Sequence, residues 1–313
     1  MRDIGRNYGV VLLIAAVVVA LPFFVHSTFY LRIAALVFIF SLAVLGLNLL
    51  MGFAGQVSLG HAGFFGIGAY AVAIGPTHLG IPSWIALLGG VAISGALAFV
   101  VGRPILKLKG HYLAVATLGM GILIAMAFTN EAAWTGGPDG MPVPRLQLFG
   151  WTARGSVTWY WISGLTLVVG ALVAINLVSS PTGRALRAIH DSEVASRVLG
   201  IDVARYKLTA FVLSAIYAAV AGGYLALFDG LVTPATAGFL RSIEFVTMAV
   251  FGGLGSILGS IVGAAILTVL PQVLTVFHDY EHIALGLIMI VFMIFLRAGT
   301  VPGLAALFER RTP

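Results

Sequence analysis

Apolar runs close to the length of a bilayer crossing dominate the chain, falling at about residues 10–25, 33–51, 61–76, 84–101, 112–129, 159–178, 208–228, 256–274 and 283–297. A shorter apolar piece covers 243–251. A helix needs about 20 apolar residues to cross the hydrocarbon, so the pattern predicts nine full spans and one half-span. The short piece falls below that length and reads as a broken or re-entrant helix, whose backbone polar groups must be satisfied within protein. The predicted fold class is all-α, a polytopic transmembrane helical bundle of about nine to ten spans forming one domain over 1–313. Hydrophobic residues make up 60% of the 313 and charged residues 9%, which excludes a soluble globular domain. Arg2 and Arg6 ahead of the first run imitate a signal peptide, but that run is long, has no evident small-x-small cleavage site, and is followed at once by another span. It reads as an uncleaved first helix.

One long charged stretch, 181–207, interrupts this pattern. It holds five basic residues (Arg184, Arg187, Arg197, Arg205, Lys207) and three acidic ones (Asp191, Glu193, Asp202). Ser180 before Pro181 suits an N-cap and a first helical position. Asp191 or Ser192 can cap a second helix, Gly200 can end it in the left-handed position, and Asp202 can cap the next span. Leu186, Ile189, Val194, Val198 and Ile201 recur at roughly helical spacing, with the arginines elsewhere on the wheel. Such an element either docks a partner or lies on anionic headgroups; composition leaves both open.

Charge sets the topology. With the N-terminus inside, thirteen of the seventeen Lys and Arg residues fall on the inner side and four, Arg32, Arg145, Arg154 and Arg241, outside. This is the positive-inside asymmetry. It makes 181–207 and both termini cytoplasmic and 130–158 an external loop, rich in the Gly, Pro and Asp of turns. The bookkeeping also requires the short apolar piece to reach the inner side or re-enter. Basic residues scattered at span edges form no nucleic-acid patch.

Candidate chemistry is sparse. Glycines cluster at 52–70 and at 252–264, and the second cluster carries Gly255, Gly259 and Gly263 at the spacing that lets helices pack backbone to backbone. Asn48, Gln56, Ser58 and His61 lie in or beside the first cluster and are pathway candidates; interhelical hydrogen bonding explains them equally. No cysteine and no GxxxxGK[ST] phosphate loop is present, so the chain has no such route to ATP. His278, Glu281 and His282 match H-x-x-E-H, but a span edge without an evident third ligand reads as a polar turn. No catalytic residue, metal or cofactor is assigned. Every Asp and Glu falls at a span end or in a loop, which argues against a proton-coupled carrier.

Several segments, in order, resemble one family: GLNLLMGFAGQVSLGHAGFFGIGAY at 46–70, HYLAVATLGMG at 111–121, TGGPDGM at 135–141, the 180–211 stretch, and FGGLGSILGSIVGA at 251–264. They are similar to the permease subunits of branched-chain amino-acid ABC importers, specifically the M-type of the Liv system, across nearly the whole chain. The resemblance implies an ABC importer permease fold in the bacterial inner membrane, with a second, H-type permease, two ABC ATPases and an external amino-acid-binding protein as partners. It implies ATPase coupling through the cytoplasmic loop, with Gly183, Arg184, Arg187, Glu193, Ala195 and Gly200 as candidates; Glu193, Ala195 and Gly200 resemble an EAA loop whose glycine is displaced by one residue. Membrane lipid is the surrounding medium. The alternatives are the same family importing urea, short amides or other amino acids, an ion-coupled secondary carrier, and an intramembrane metallopeptidase using His278 and His282.

Overall fold

A computed structural model describes residues 2–25, 27–148 and 151–274, together with 286, 290, 294, 299–301 and 303. The span expected at 283–297 and the His278, Glu281 and His282 motif lie outside the described residues, apart from the isolated positions. The described chain begins with α1 (Arg2–Phe24) and α2 (Thr28–Asn48), which runs on through a π-helical turn (Leu49–Phe53). A non-helical break at 54–60 leads into α3 (His61–His78), followed by α4 (Ser83–Ile105) and α5 (His111–Asn130). The connecting loop holds a single helical turn, α6 (Ala132–Thr135), and short strands β1 (Met141–Pro142), β2 (Gln147–Leu148) and β3 (Trp151–Thr152). Then come α7 (Gly155–Ser179), α8 (Pro181–Asp191), α9 (Glu193–Val198), α10 (Val203–Asp229), β4 (Leu231–Val232), α11 (Phe239–Gly252) and α12 (Ile257–Leu274).

Six helices among the described residues are long and apolar enough to cross a membrane: Thr28–Phe53, Ser83–Ile105, His111–Asn130, Gly155–Ser179, Val203–Asp229 and Ile257–Leu274. The apolar part of α1, Gly9–Phe24, is shorter. Although α3 is 18 residues long, it carries glycines at 63, 66, 68 and 75 and a histidine at each end, which dilute its hydropathy. Those glycines serve packing. A Cβ on Gly68 would strike the Ala219 carbonyl, and one on Gly222 would strike the Phe65 carbonyl, so α3 and α10 meet backbone to backbone. Together with α2 they form the centre: the apolar window of α2 is 83% buried against 17% for α5. Phe64 stacks edge-on against Phe211 there, and Tyr217 donates to the Gly170 carbonyl at 2.7 Å.

The half-span resolves into a short helix that runs from the β1 end toward the α7–α8 end of the bundle, where Gly255 and Ser256 share a cavity with Val178 and Arg187. β4 pairs antiparallel with β1 at one end of the bundle. The chain then turns inward through a 3-10 turn at Pro234–Ala237, and Ala237 seats on Gly66 of α3 beside Phe128. From there α11, 14 residues long, packs antiparallel on α12, with Gly252 facing Gly259 and Met248 facing Gly263. The Arg241 guanidinium stands 5.3 Å over Phe40, which lies midway along the 26-residue span of α2. Here the structure corrects the sequence reading: Arg241 and Glu244 stand on the first turns of α11, level with the middle of α2, with side chains 30% and 50% exposed.

Candidate functional site

Local capping builds the charged excursion. Ser180 Oγ accepts the Gly183 amide at 3.4 Å with Pro181 in the first turn. The α7–α8 corner is so tight that a Cβ on Gly183 would meet the carbonyls of Leu177 and Val178. Arg187 reaches back into this corner, with Nη2 donating to Val178 O at 2.8 Å and Nε to Gly183 O at 3.4 Å. Arg184 Nη1 lies 3.5 Å from Ser179 O. Both arginines therefore serve the orphan carbonyls at the negative end of α7. Leu186 and Ile189 on α8 are buried.

The second helix projects instead. Ser192 Oγ accepts the Ala195 amide at 3.2 Å, starting α9. Glu193 is bonded to Lys207 of α10, whose side chain is 6% exposed, and lies 3.6 Å from Arg197. At the other end Gly200, with φ of +80°, closes a Schellman motif: its amide donates to Arg197 O and the Ile201 amide to Ser196 O, both at 3.0 Å. Asp202 Oδ1 then accepts the Arg205 amide at 3.1 Å and starts α10. Between these fixed ends Val194, Val198 and Leu199 are 70%, 83% and 77% exposed. The apolar stripe expected along 186–201 is thus divided: α8 contributes buried residues and α9 an exposed apolar tip. Beside it a cavity of about 680 Å³ is lined by Arg103, Lys107, Lys109, Arg197, Arg205 and Lys207, with Glu193 and Asp202.

The pathway candidates separate into two groups. Asn48 is fully employed: Nδ2 donates to Ser260 Oγ at 2.7 Å, Ser256 O at 2.9 Å and Gly253 O at 3.4 Å, and Oδ1 accepts the Gly255 amide at 2.9 Å. It clamps the end of α2 to the 253–256 turn. Gly255 sits in that turn with φ of +76°, while Gly259 and Gly263 lie on α12 against the backbone of α11. Gln56, Ser58 and His61 lie in the break and at the start of α3, each 1% exposed. Among the described residues, both Gln56 side-chain polar atoms, Ser58 Oγ and His61 Nε2 have no hydrogen-bond partner; His61 Nδ1 lies 3.4 Å from Ser214 Oγ.

Neighbouring helices brace the break. Thr117 Oγ1 of α5 accepts the Leu59 amide at 3.1 Å, and Ser242 Oγ of α11 accepts the Ala62 amide at 3.0 Å. A Cβ on Gly55 would sit 3.1 Å from His190 Nδ1, so the break also touches the end of α8. One connected structure therefore runs from the exposed α9 tip through α8 to unpaired polar groups in the bundle. Sequence reading named Lys207, Val194 and Val198 but not the pairing of Lys207 with Glu193 or the exposure of the two valines, and it passed over Leu199 and the Arg241–Glu244 pair. An apolar Val198-Leu199 doublet ahead of a terminal glycine in a charged run was the available signal for the α9 tip.

A polytopic bundle of apolar helices with an interrupted span, carrying short capped helices at one end, is the architecture of an all-α integral membrane protein. The chain belongs to the branched-chain amino acid transport system / permease component family, whose match covers residues 29–296. It is 36% identical to the high-affinity branched-chain amino acid transport system permease protein LivM of Escherichia coli, over 95% of this chain and 75% of that one. The LivM of Salmonella typhimurium is 34% identical over 91% of this chain and 73% of its own. LivH of Salmonella typhimurium, a permease protein of the same transport system, is 27% identical over 78% of this chain and 84% of its own. No solved structure matches significantly.

Proposed function

We propose that the chain is the M-type permease of an ATP-driven importer of branched-chain amino acids, working by alternating access. Its partners are an H-type permease, two ABC ATPases and an external binding protein, and the α8–α9 end faces the cytoplasm of a bacterial inner membrane, as both termini do. The observation that carries this reading is the exposed apolar tip of α9, held at both ends by caps and by the Glu193–Lys207 pair. An exposed apolar cluster in a charged, water-facing stretch marks a docking surface. ATPase closure pushes on Val194, Val198 and Leu199. Arg184 and Arg187 transmit the push into α7 because they bind its last carbonyls, and Gly183 lets α8 approach those carbonyls closely enough to do so. The contact of Gly55 with His190 carries it to the break at 54–60, where Gln56, Ser58 and His61 offer unpaired polar groups to a passing solute.

Affinity purification of the detergent-solubilised complex tests this. The wild-type chain is expected to bring down a second permease and two P-loop ATPases with ATPase activity. Val198→Asp, which alters a side chain that is 83% exposed, is expected to release the ATPases while the second permease stays bound. Retention of fully coupled ATPases by that variant removes the α9 tip from the coupling role.

A further inference from the structure

Among the described residues, Arg241–Glu244 is the ion pair that lies away from both ends of the bundle. Arg241 Nη1 stands 2.6 Å from Glu244 Oε2, with the side chains 30% and 50% exposed. Leu240, at 76%, and Ile243, at 37%, are exposed beside it on α11. Charged side chains this deep in a spanning bundle face water-filled cavities or protein rather than lipid, since lipid exposure of either charge costs several kcal/mol. A plain helix-surface pair, worth a few tenths of a kcal/mol in water, does not account for placing two charges there.

We infer that Arg241 and Glu244 form a mid-membrane station for a zwitterionic α-amino acid on its way through the permease. This rests on the importer reading above and names the residues that meet the substrate. The juxtaposition matches the ligand group by group. A guanidinium fork takes a carboxylate in a two-pronged charge-assisted bond, the Glu244 carboxylate takes an ammonium, and the exposed Leu240 and Ile243 offer apolar surface to a branched side chain. The arriving zwitterion opens the pair and replaces each charge's partner, so neither group is left desolvated and unpaired. When the solute leaves, the pair closes again, which keeps the station weak enough to release what it binds. A second pair of the same kind, Arg32–Asp229 at 3.5 Å, stands at the β1 end of the bundle, and the charge of Arg241 reaches Asp229.

The test uses the whole complex in proteoliposomes with its binding protein and radiolabelled leucine. Arg241→Gln and Glu244→Gln are each expected to lower ATP-driven uptake about tenfold or more, the size of one lost charge-assisted hydrogen bond. The swapped pair, Arg241→Glu with Glu244→Arg, keeps a local ion pair but sets a carboxylate toward Asp229, and uptake is expected to stay low. The chain has no cysteine, so single substitutions report water access directly. Ile243→Cys is expected to react with a charged, water-soluble methanethiosulfonate and to be protected by leucine-loaded binding protein. Val169→Cys, exposed midway along α7, is expected to react with a lipid-soluble maleimide alone. If the wild type moves leucine, uptake by both single variants within twofold, recovery by the swap, or an unreactive Ile243→Cys overturns the station and makes the pair a contact between permeases. A wild-type complex that moves no branched-chain amino acid overturns the importer reading itself, and the station with it.

Discussion

One amide holds the two glycine-rich segments together. Asn48 fills four hydrogen bonds to the 253–260 region, more than 200 residues away in sequence. Asn48→Leu leaves the Gly255 amide without its acceptor, and an unsatisfied buried group of that kind costs about 1–3 kcal/mol. A clear drop in the thermal stability of the detergent-solubilised protein is the expected outcome. Glycines divide sharply by what surrounds them. A Cβ on Gly263 would meet the Met248 carbonyl, which cannot swing away, whereas Gly119 has open space around it. Gly263→Ala is therefore expected to abolish correct assembly on size-exclusion chromatography, and Gly119→Ala to behave as wild type. The residue types of both sites were legible in the sequence. Their partners were not: spacing says that a polar or small residue is needed within a helix contact, while the identity of the opposing helix is a tertiary fact.

At the scale of elements, the 180–202 excursion was the most legible part of the chain. Ser180, Ser192, Asp202 and Gly200 each act on backbone groups within five residues, so local chemistry determines them. Its division into a packed α8 and a projecting α9 was hidden, since an apolar residue at helical spacing carries no mark of the side it faces. The inward start of α11 was hidden for the same reason: Arg241 and Glu244 look like a loop edge until the 3-10 turn carries them in. Gly200→Val meets no atom within 4 Å but forces a β-branched residue into the left-handed region at a cost of about 1–2 kcal/mol. It is expected to unwind the α9 terminus and lower transport while the chain still reaches the membrane, measured as uptake per mole of membrane-inserted protein. Lys207→Met leaves the partly buried Glu193 with only the more exposed Arg197, 3.6 Å away, as its partner among the described residues. Stability is expected to fall, and Glu193→Leu added to it to recover most of the loss, because removing both charges abolishes the desolvation cost that removing one exposes.

Taken whole, the molecule separates two tasks along its length. Exposed, capped and charged structure gathers at the α9 end, and the short, charge-bearing α11 stands along the side of the bundle, with the closely packed α2, α3 and α10 at the centre. A permease driven from one end needs such a centre to carry motion to the pathway. The most direct test is ATP-driven uptake of radiolabelled leucine by proteoliposomes holding the purified complex, compared with the same vesicles under proton or sodium gradients alone. Uptake that requires ATP inside the vesicles' cytoplasmic face, requires the binding protein and is lost with Val198→Asp is the expected result. Uptake supported by an ion gradient without ATPase subunits would contradict the account and make the chain a secondary carrier.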